Sequence, residues 1–216
     1  MTDAFTRRAT LVVAPHPDDE TLGCGATIAR MRRLGTPVRV VLMSGGGASP
    51  RPSGMSLDEM LLLRREEASR ALDLLGVEPA SVHHLDFVDG DMPGQHQAMT
   101  EALARLVRDH APDQVLVTSA RDRHPDHAAV ARAVGAAATT ARGVGVYEYA
   151  VWQRVPAMTV ARSGRRPLLV SSSDFSERKQ AALAAYESQL PHFPRGFVED
   201  FLLPFETFTE VVAPSS

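Results

Sequence analysis

The chain has 216 residues, enough for one well-filled domain, and a single domain over 1–216 is the expectation. Hydrophobic residues make up 44% and charged residues 23%, which argues against a disordered or membrane-embedded chain, and a net charge of −3 gives no basic footprint for nucleic acid. A lone cysteine, Cys24, excludes an internal disulfide and a cysteine-built zinc site.

The opening M-T-D-A-F-T-R-R-A-T-L-V-V-A has too short an apolar run for a signal-peptide core or a membrane span. The expected compartment is therefore the cytoplasm, with no membrane partner. T-L-V-V-A (10–14) reads as a first strand and is followed by a helix over 21–34, stopped by Gly35 and Pro37. V-R-V-V-L-M (38–43) is the second strand. The loop after it, S-G-G-G-A-S-P-R-P-S-G-M-S (44–56), forbids regular structure and is either a lid or a plain surface loop. Neither its glycines nor Gly23 and Gly25 match a nucleotide-binding fingerprint.

A helix over 57–75 ends at Gly76, and its wheel gathers Leu57, Leu61, Ala68, Leu72 and Leu75 into a stripe that includes Arg64. A guanidinium there needs a partner, either a structural ion pair or a polar substrate or active-site acid. The third strand is V-H-H-L-D-F (82–87), in which His83 and His84 face opposite ways and cannot easily share a metal. Asp89, in the next loop, is either a turn residue before Gly90 or a ligand for substrate hydroxyls. A helix over 95–110, the strand Q-V-L-V-T-S (114–119), a helix over 126–139 and the strand V-G-V-Y-E-Y (144–149) follow. Tyr147, Tyr149 and Trp152 read as core or sheet-face residues, and Cys24 as a small buried hydrophobe.

The tail offers a strand L-L-V-S-S-S (168–173) and a helix opened by D-F-S-E (174–177) and running to Gln189. Beyond it, P-H-F-P-R-G-F-V-E-D-F-L-L-P-F-E-T-F holds five of the eight phenylalanines, either packing on the core or forming a subunit contact or pocket wall. The alternation predicts an α/β fold: three-layer, Rossmann-like, with a mostly parallel sheet in the order 3-2-1-4-5 and C-terminal additions.

Two clusters carry chemistry: His16, Pro17, Asp18, Asp19 and Glu20 after the first strand, and His124, Pro125, Asp126 and His127 after the fourth. In the order 3-2-1-4-5 the crevice outside the sheet lies between those two strands, so topology brings the clusters together. Adjacent carboxylates repel unless a positive charge sits among them. Two imidazoles and a carboxylate make a three-ligand zinc set, and spacing selects His16, Asp19 and His127, one Zn2+ per chain, with another divalent metal such as Fe2+ open. Asp18 is then free to take a proton from bound water, and His124 to donate one or to stabilise an oxyanion. Asp126 either orients an imidazole or caps the following helix. Glu20 reads as structural support.

A-P-H-P-D-D-E (14–20) and D-R-H-P-D-H (122–127) resemble the motifs of the LmbE/PIG-L zinc-dependent de-N-acetylases, supported by R-R-E-E-A-x-x-A-x-x-L-L-G-V (64–77), L-D-F-V-D-G (85–90) and Y-E-S-Q (186–189). The resemblance implies removal of acetyl from N-acetylglucosamine-type groups, with metal ligands His16, Asp19 and His127, general base Asp18, and the paired histidine at His124. It also implies a small amino-sugar substrate. One departure stands out: where some thiol-sugar deacetylases of the family place a tyrosine before the second motif, this chain has Arg121, Asp122 and Arg123. Alternatives are an amidase acting on another secondary amide, a non-haem iron enzyme using the same donors, or a non-catalytic carbohydrate-binding module. A homo-oligomer is possible.

Overall fold

Strands β1 (Thr10–Ala14), β2 (Val38–Leu42) and β4 (Gln114–Thr118) are valine- and leucine-rich runs, and with the tyrosine-bearing β5 (Gly145–Tyr149) they are buried on both faces, save half-buried Arg39 in β2. Such strands need helices on either side and pair in parallel. The computed structural model describes residues 2–141, 143–153, 165 and 167–212. In it a short β3 (Val82–His84), β6 (Pro167–Ser171) and β7 (Phe205–Val212) complete a seven-stranded sheet in the order β3-β2-β1-β4-β5-β7-β6. The first five strands stand in the expected order and are parallel; β7 pairs antiparallel with both β5 and β6.

The helices are α1 (Thr2–Phe5), α2 (Asp19–Arg33), α3 (Leu57–Leu74), α4 (His96–His110), α5 (Pro125–Ala138) and α6 (Ser176–Ala184). Alternation along β1 divides the core in two. Val12 and Ala14 join Leu22, Ile28, Leu72 and Phe208 on one face, whereas Leu11 and Val13 join Met99, Leu103, Val130 and Val134 on the other. The result is a helix–sheet–helix sandwich. None of the described helices is long and apolar enough to cross a membrane.

Three sequence expectations are corrected here. Regular pairing in β3 stops at His84 rather than residue 87, because Asp86 takes a left-handed φ of 53° that breaks the extended run. The last helix ends at Ala184, so Tyr186–Gln189 lie in turns instead. The Phe-rich tail packs on the core as expected, with Phe201 and Phe208 buried, and also supplies a strand, β7, that slots between β5 and β6. Trp152 is not a core residue: it is 39% exposed, unlike the buried Tyr147 and Tyr149.

Helix α2 is also not continuous, for Cys24 sits at φ −144°, ψ 20°. The break frees backbone groups in the protein interior, where unpaired ones are costly. A distant pair satisfies them. The Glu206 carboxylate accepts from Ala26 N–H at 2.9 Å and Thr27 N–H at 2.7 Å, while Lys179 Nζ donates to Leu22 O and to Glu206, both at 2.7 Å. Gly23 lies beside this break because a Cβ there would collide with the Tyr149 ring.

Candidate active site

The polypeptide leaves β1 towards β2 and β3, then returns to pair β4 on the opposite side of β1, so the sheet reverses direction between β1 and β4. Loops leaving the carboxyl ends of those strands face one crevice. From the first loop come His16, Asp18 and Asp19; from the second come Asp122, His124, Asp126 and His127.

His16, Asp19 and His127 are all buried, and their ligand atoms lie within 4.8 Å of one another. Asp19 Oδ2 stands 3.2 Å from both His16 Nδ1 and His127 Nε2. His127 is fully buried, yet neither of its ring nitrogens makes a hydrogen bond. Carboxylates approach both nitrogens without hydrogen-bond geometry, and three buried donors converge on one point, which suits a divalent cation with N/O preference.

Carboxylates stand behind the imidazoles as well. His16 Nε2 lies 2.9 Å from Asp89 Oδ1 and 3.3 Å from Asp126 Oδ2, and His127 Nδ1 lies 3.3 Å from Asp122 Oδ2. Burial alone would lower the pKa of both histidines, but the surrounding acids outweigh it, raising His127 to about 9 and His16 well above its ordinary value. Burial opposes ionisation of Asp19, yet His127 and His16 hold its pKa far below the carboxylate range. The pocket therefore attracts positive charge.

Asp18 occupies a strained position, with φ 121°, a region an L-residue rarely adopts. Its N–H donates to Glu20 Oε2 at 3.2 Å, and Arg64 Nη2 donates to its Oδ2 at 3.1 Å. Burial pushes the Asp18 carboxyl up to about 8 against the pull of Arg64. Arg64 is only 2% exposed and also donates to Pro17 O, Gly46 O and Ser49 Oγ, at 2.6, 2.8 and 2.7 Å. Of the two partners open to it, an active-site acid is the one it meets. Gly46, at φ 72°, lies so close to this guanidinium that a Cβ would overlap it, and Cβ atoms at Gly45 and Gly47 would crowd Leu61 and Leu57 of α3, which explains the glycine run in the 44–56 loop. Asp89 Oδ2 accepts from Ala48 N–H at 2.8 Å, fastening the same loop to the site.

Helix α5 is capped by His124, whose Nδ1 accepts from Asp126 N–H at 3.3 Å, so Asp126 is not the cap. Accepting there leaves the proton of the neutral ring on Nε2. Burial, then the neighbouring His16 and His127, lowers the His124 pKa. Asp126 instead accepts from Gly90 and Met92 N–H and approaches His16.

A cleft of about 270 Å³ opens over these residues, walled by Leu22, Ser49, Val151, Trp152, Gln189 and Phe193 among others. The sequence profile of the GlcNAc-PI de-N-acetylases, PIG-L, matches residues 11–138, the stretch that carries both clusters. The chain belongs to the PIG-L family. Like the family, it is a deacetylase, a hydrolase acting on N-acetyl amino sugars or their conjugates. It is 31% identical to the uncharacterized deacetylase YaiS of Escherichia coli K12 over 68% of this chain and 77% of that protein. A 1D-myo-inositol 2-acetamido-2-deoxy-alpha-D-glucopyranoside deacetylase of Mycobacterium sp. strain JLS is 31% identical over 86% of this chain and 75% of that one. The fold recurs with a TM-score of 0.77 in GalB, a 4-carboxy-2-hydroxymuconate hydratase of Pseudomonas putida, at 21% identity, over 96% of this chain and 97% of that one. That likeness concerns the fold alone, and a fold does not dictate its chemistry.

The supporting PIG-L motifs now have physical partners. R-R-E-E-A contributes Arg64 to Asp18, and its Glu67 accepts from Ser188 N–H and Oγ, both at 2.7 Å. Tyr186 of Y-E-S-Q donates its hydroxyl to Glu20 Oε1 at 2.5 Å, so buried Glu20 ties the loop after β1 to the C-terminal part of the chain. Asp122 was not anticipated. It accepts from His124, Val151 and Trp152 N–H while facing His127. Its only sequence signal is an acid five places before a candidate ligand, at the end of a strand.

Proposed function

We propose that the protein hydrolyses the 2-acetamido group of an amino sugar or amino-sugar conjugate, releasing acetate, with one zinc held by His16, Asp19 and His127. The observation that carries this reading is the convergence of the buried His16, Asp19 and His127, whose ligand atoms lie within 4.8 Å of one another. When bound, zinc supplies an acidified water and polarises the amide carbonyl. Asp18, beside the ligands but outside the set, takes the proton from the attacking water, and Arg64 is its positioning residue rather than a substrate ligand. With a cation held by the neighbouring ligands, Asp18 would ionise more readily than its burial alone allows. His124 presents Nε2–H to the developing oxyanion or to the departing amine, a role Asp18 shares once it has gained a proton. Asp126 and Asp89 orient His16 as Asp122 orients His127.

The test is acetate release across a panel of N-acetylated sugars and conjugates by the zinc-loaded protein. Activity is expected on at least one 2-acetamido sugar, abolished by a chelator and restored by zinc. Release from simple acetamides but from no sugar would move the assignment to a general amidase. A second expectation concerns the imidazole supports. Asp122→Asn weakens zinc binding by about 10–100-fold, read by competition with a chromophoric chelator; unchanged affinity would leave Asp122 as a purely structural acceptor.

A further inference from the structure

One wall of the cleft is aromatic. Trp152 stacks on Phe197 with ring centroids 4.7 Å apart and an interplanar angle of 30°, and Phe197 stacks in turn on Phe193 at 5.0 Å and 28°. Phe201, 6% exposed, meets Phe197 edge-on at 5.2 Å and joins the group to the core. Trp152 and Phe193 line the cleft, and Trp152 keeps 39% of its surface exposed there. The wall is fixed relative to the chemistry, because Asp122 Oδ2 accepts from Val151 and Trp152 N–H at 3.1 and 3.0 Å and stands 3.3 Å from His127.

Charge on the other lining residues narrows what such a wall is for. Among the described residues around the cleft there is no lysine, and the one arginine, Arg64, is already engaged by Asp18 and two backbone carbonyls. The carboxylates Asp18, Asp19 and Asp89 share the same space. Against Trp152 and Phe193 an anionic group would find neither a lysine nor an uncommitted arginine among the described residues, only the imidazoles of the cleft and the zinc beyond them. A flat apolar face finds an indole and a phenyl ring instead.

We infer that Trp152 and Phe193 form a subsite for an uncharged ring attached to the acetamido sugar, so that the preferred substrate is a neutral conjugate with an apolar face rather than a phosphorylated or carboxylated one. This rests on the amino-sugar reading above. Trp152 sets specificity here; it does not touch the reacting atoms.

The experiment measures acetate release from N-acetylglucosamine, its phenyl glycoside and its 1-phosphate, with zinc-loaded wild type, Trp152→Ala and Trp152→Phe. Wild type is expected to favour the phenyl glycoside over the free sugar by about tenfold in kcat/KM, the size of one ring-stacking contact, and to use the 1-phosphate least. Trp152→Ala removes that preference through KM, and Trp152→Phe restores part of it, with zinc content equal in all three proteins. Equal use of the free sugar and the phenyl glycoside by wild type, or preference for the 1-phosphate, overturns the subsite and leaves the deacetylase assignment standing. Acetate from none of the three overturns both.

Discussion

Replacing Asp18 by asparagine lowers kcat for acetate release by about 10²–10⁴-fold, the usual contribution of a positioned base. The amide keeps the shape of the carboxylate and still accepts from Arg64, but it cannot take a proton. Asparagine matches aspartate in size and branching, so it is the substitution least able to disturb the φ of 121° at this position. Arg64 retains its bonds to Pro17 O, Gly46 O and Ser49 Oγ, and the loop stays pinned. Zinc content and the circular dichroism spectrum are therefore expected to match wild type. Undiminished kcat would place the base elsewhere, and loss of zinc would make Asp18 a ligand.

Glu206→Ala is expected to cost about 3–5 kcal/mol of folding stability, the loss typical when one member of a buried ion pair is removed. Lys179 is 1% and Glu206 5% exposed, so the stranded ammonium has little access to water. Ala26 and Thr27 lose the acceptor for their N–H groups at the same time. Because small domains are stable by only about 5–15 kcal/mol, the effect is large in a urea unfolding curve. Combining Lys179→Met with Glu206→Gln recovers part of it, since no charge is left alone and the glutamine amide still accepts from the broken helix. A midpoint unchanged by Glu206→Ala would mean that the pair is solvated in solution.

The parallel half of the fold was legible because β1, β2, β4 and β5 are short apolar runs between helix signals, and their order alone places two acidic–histidine clusters on one crevice. Strand β7 was hidden by its own chemistry. Its inward face presents Glu206, which is buried, alongside Phe208, while Phe205 is 51% exposed, so the apolar alternation that marks a strand is inverted. The break in α2 was equally invisible, because its partners lie 157 and 180 residues further on. Arg64 showed itself as a charge in an apolar stripe, although the buried face of α3 carries Met60 and Glu67 and leaves Leu57 46% exposed. Asp122 gave no such contradiction, and only the fold brings it against His127.

The splice at Cys24 bears on where this protein can be cut. Every residue assigned above to the metal or to proton transfer falls within the stretch shared by the family, residues 11–138, which invites trimming to that unit. Such a fragment would lack Lys179, Tyr186 and Glu206, so the helix carrying Asp19 would have an open seam in mid-length and Glu20 would lose its phenol. The chemistry is encoded early in the chain, but the scaffold that keeps it in register is finished only by the last strand.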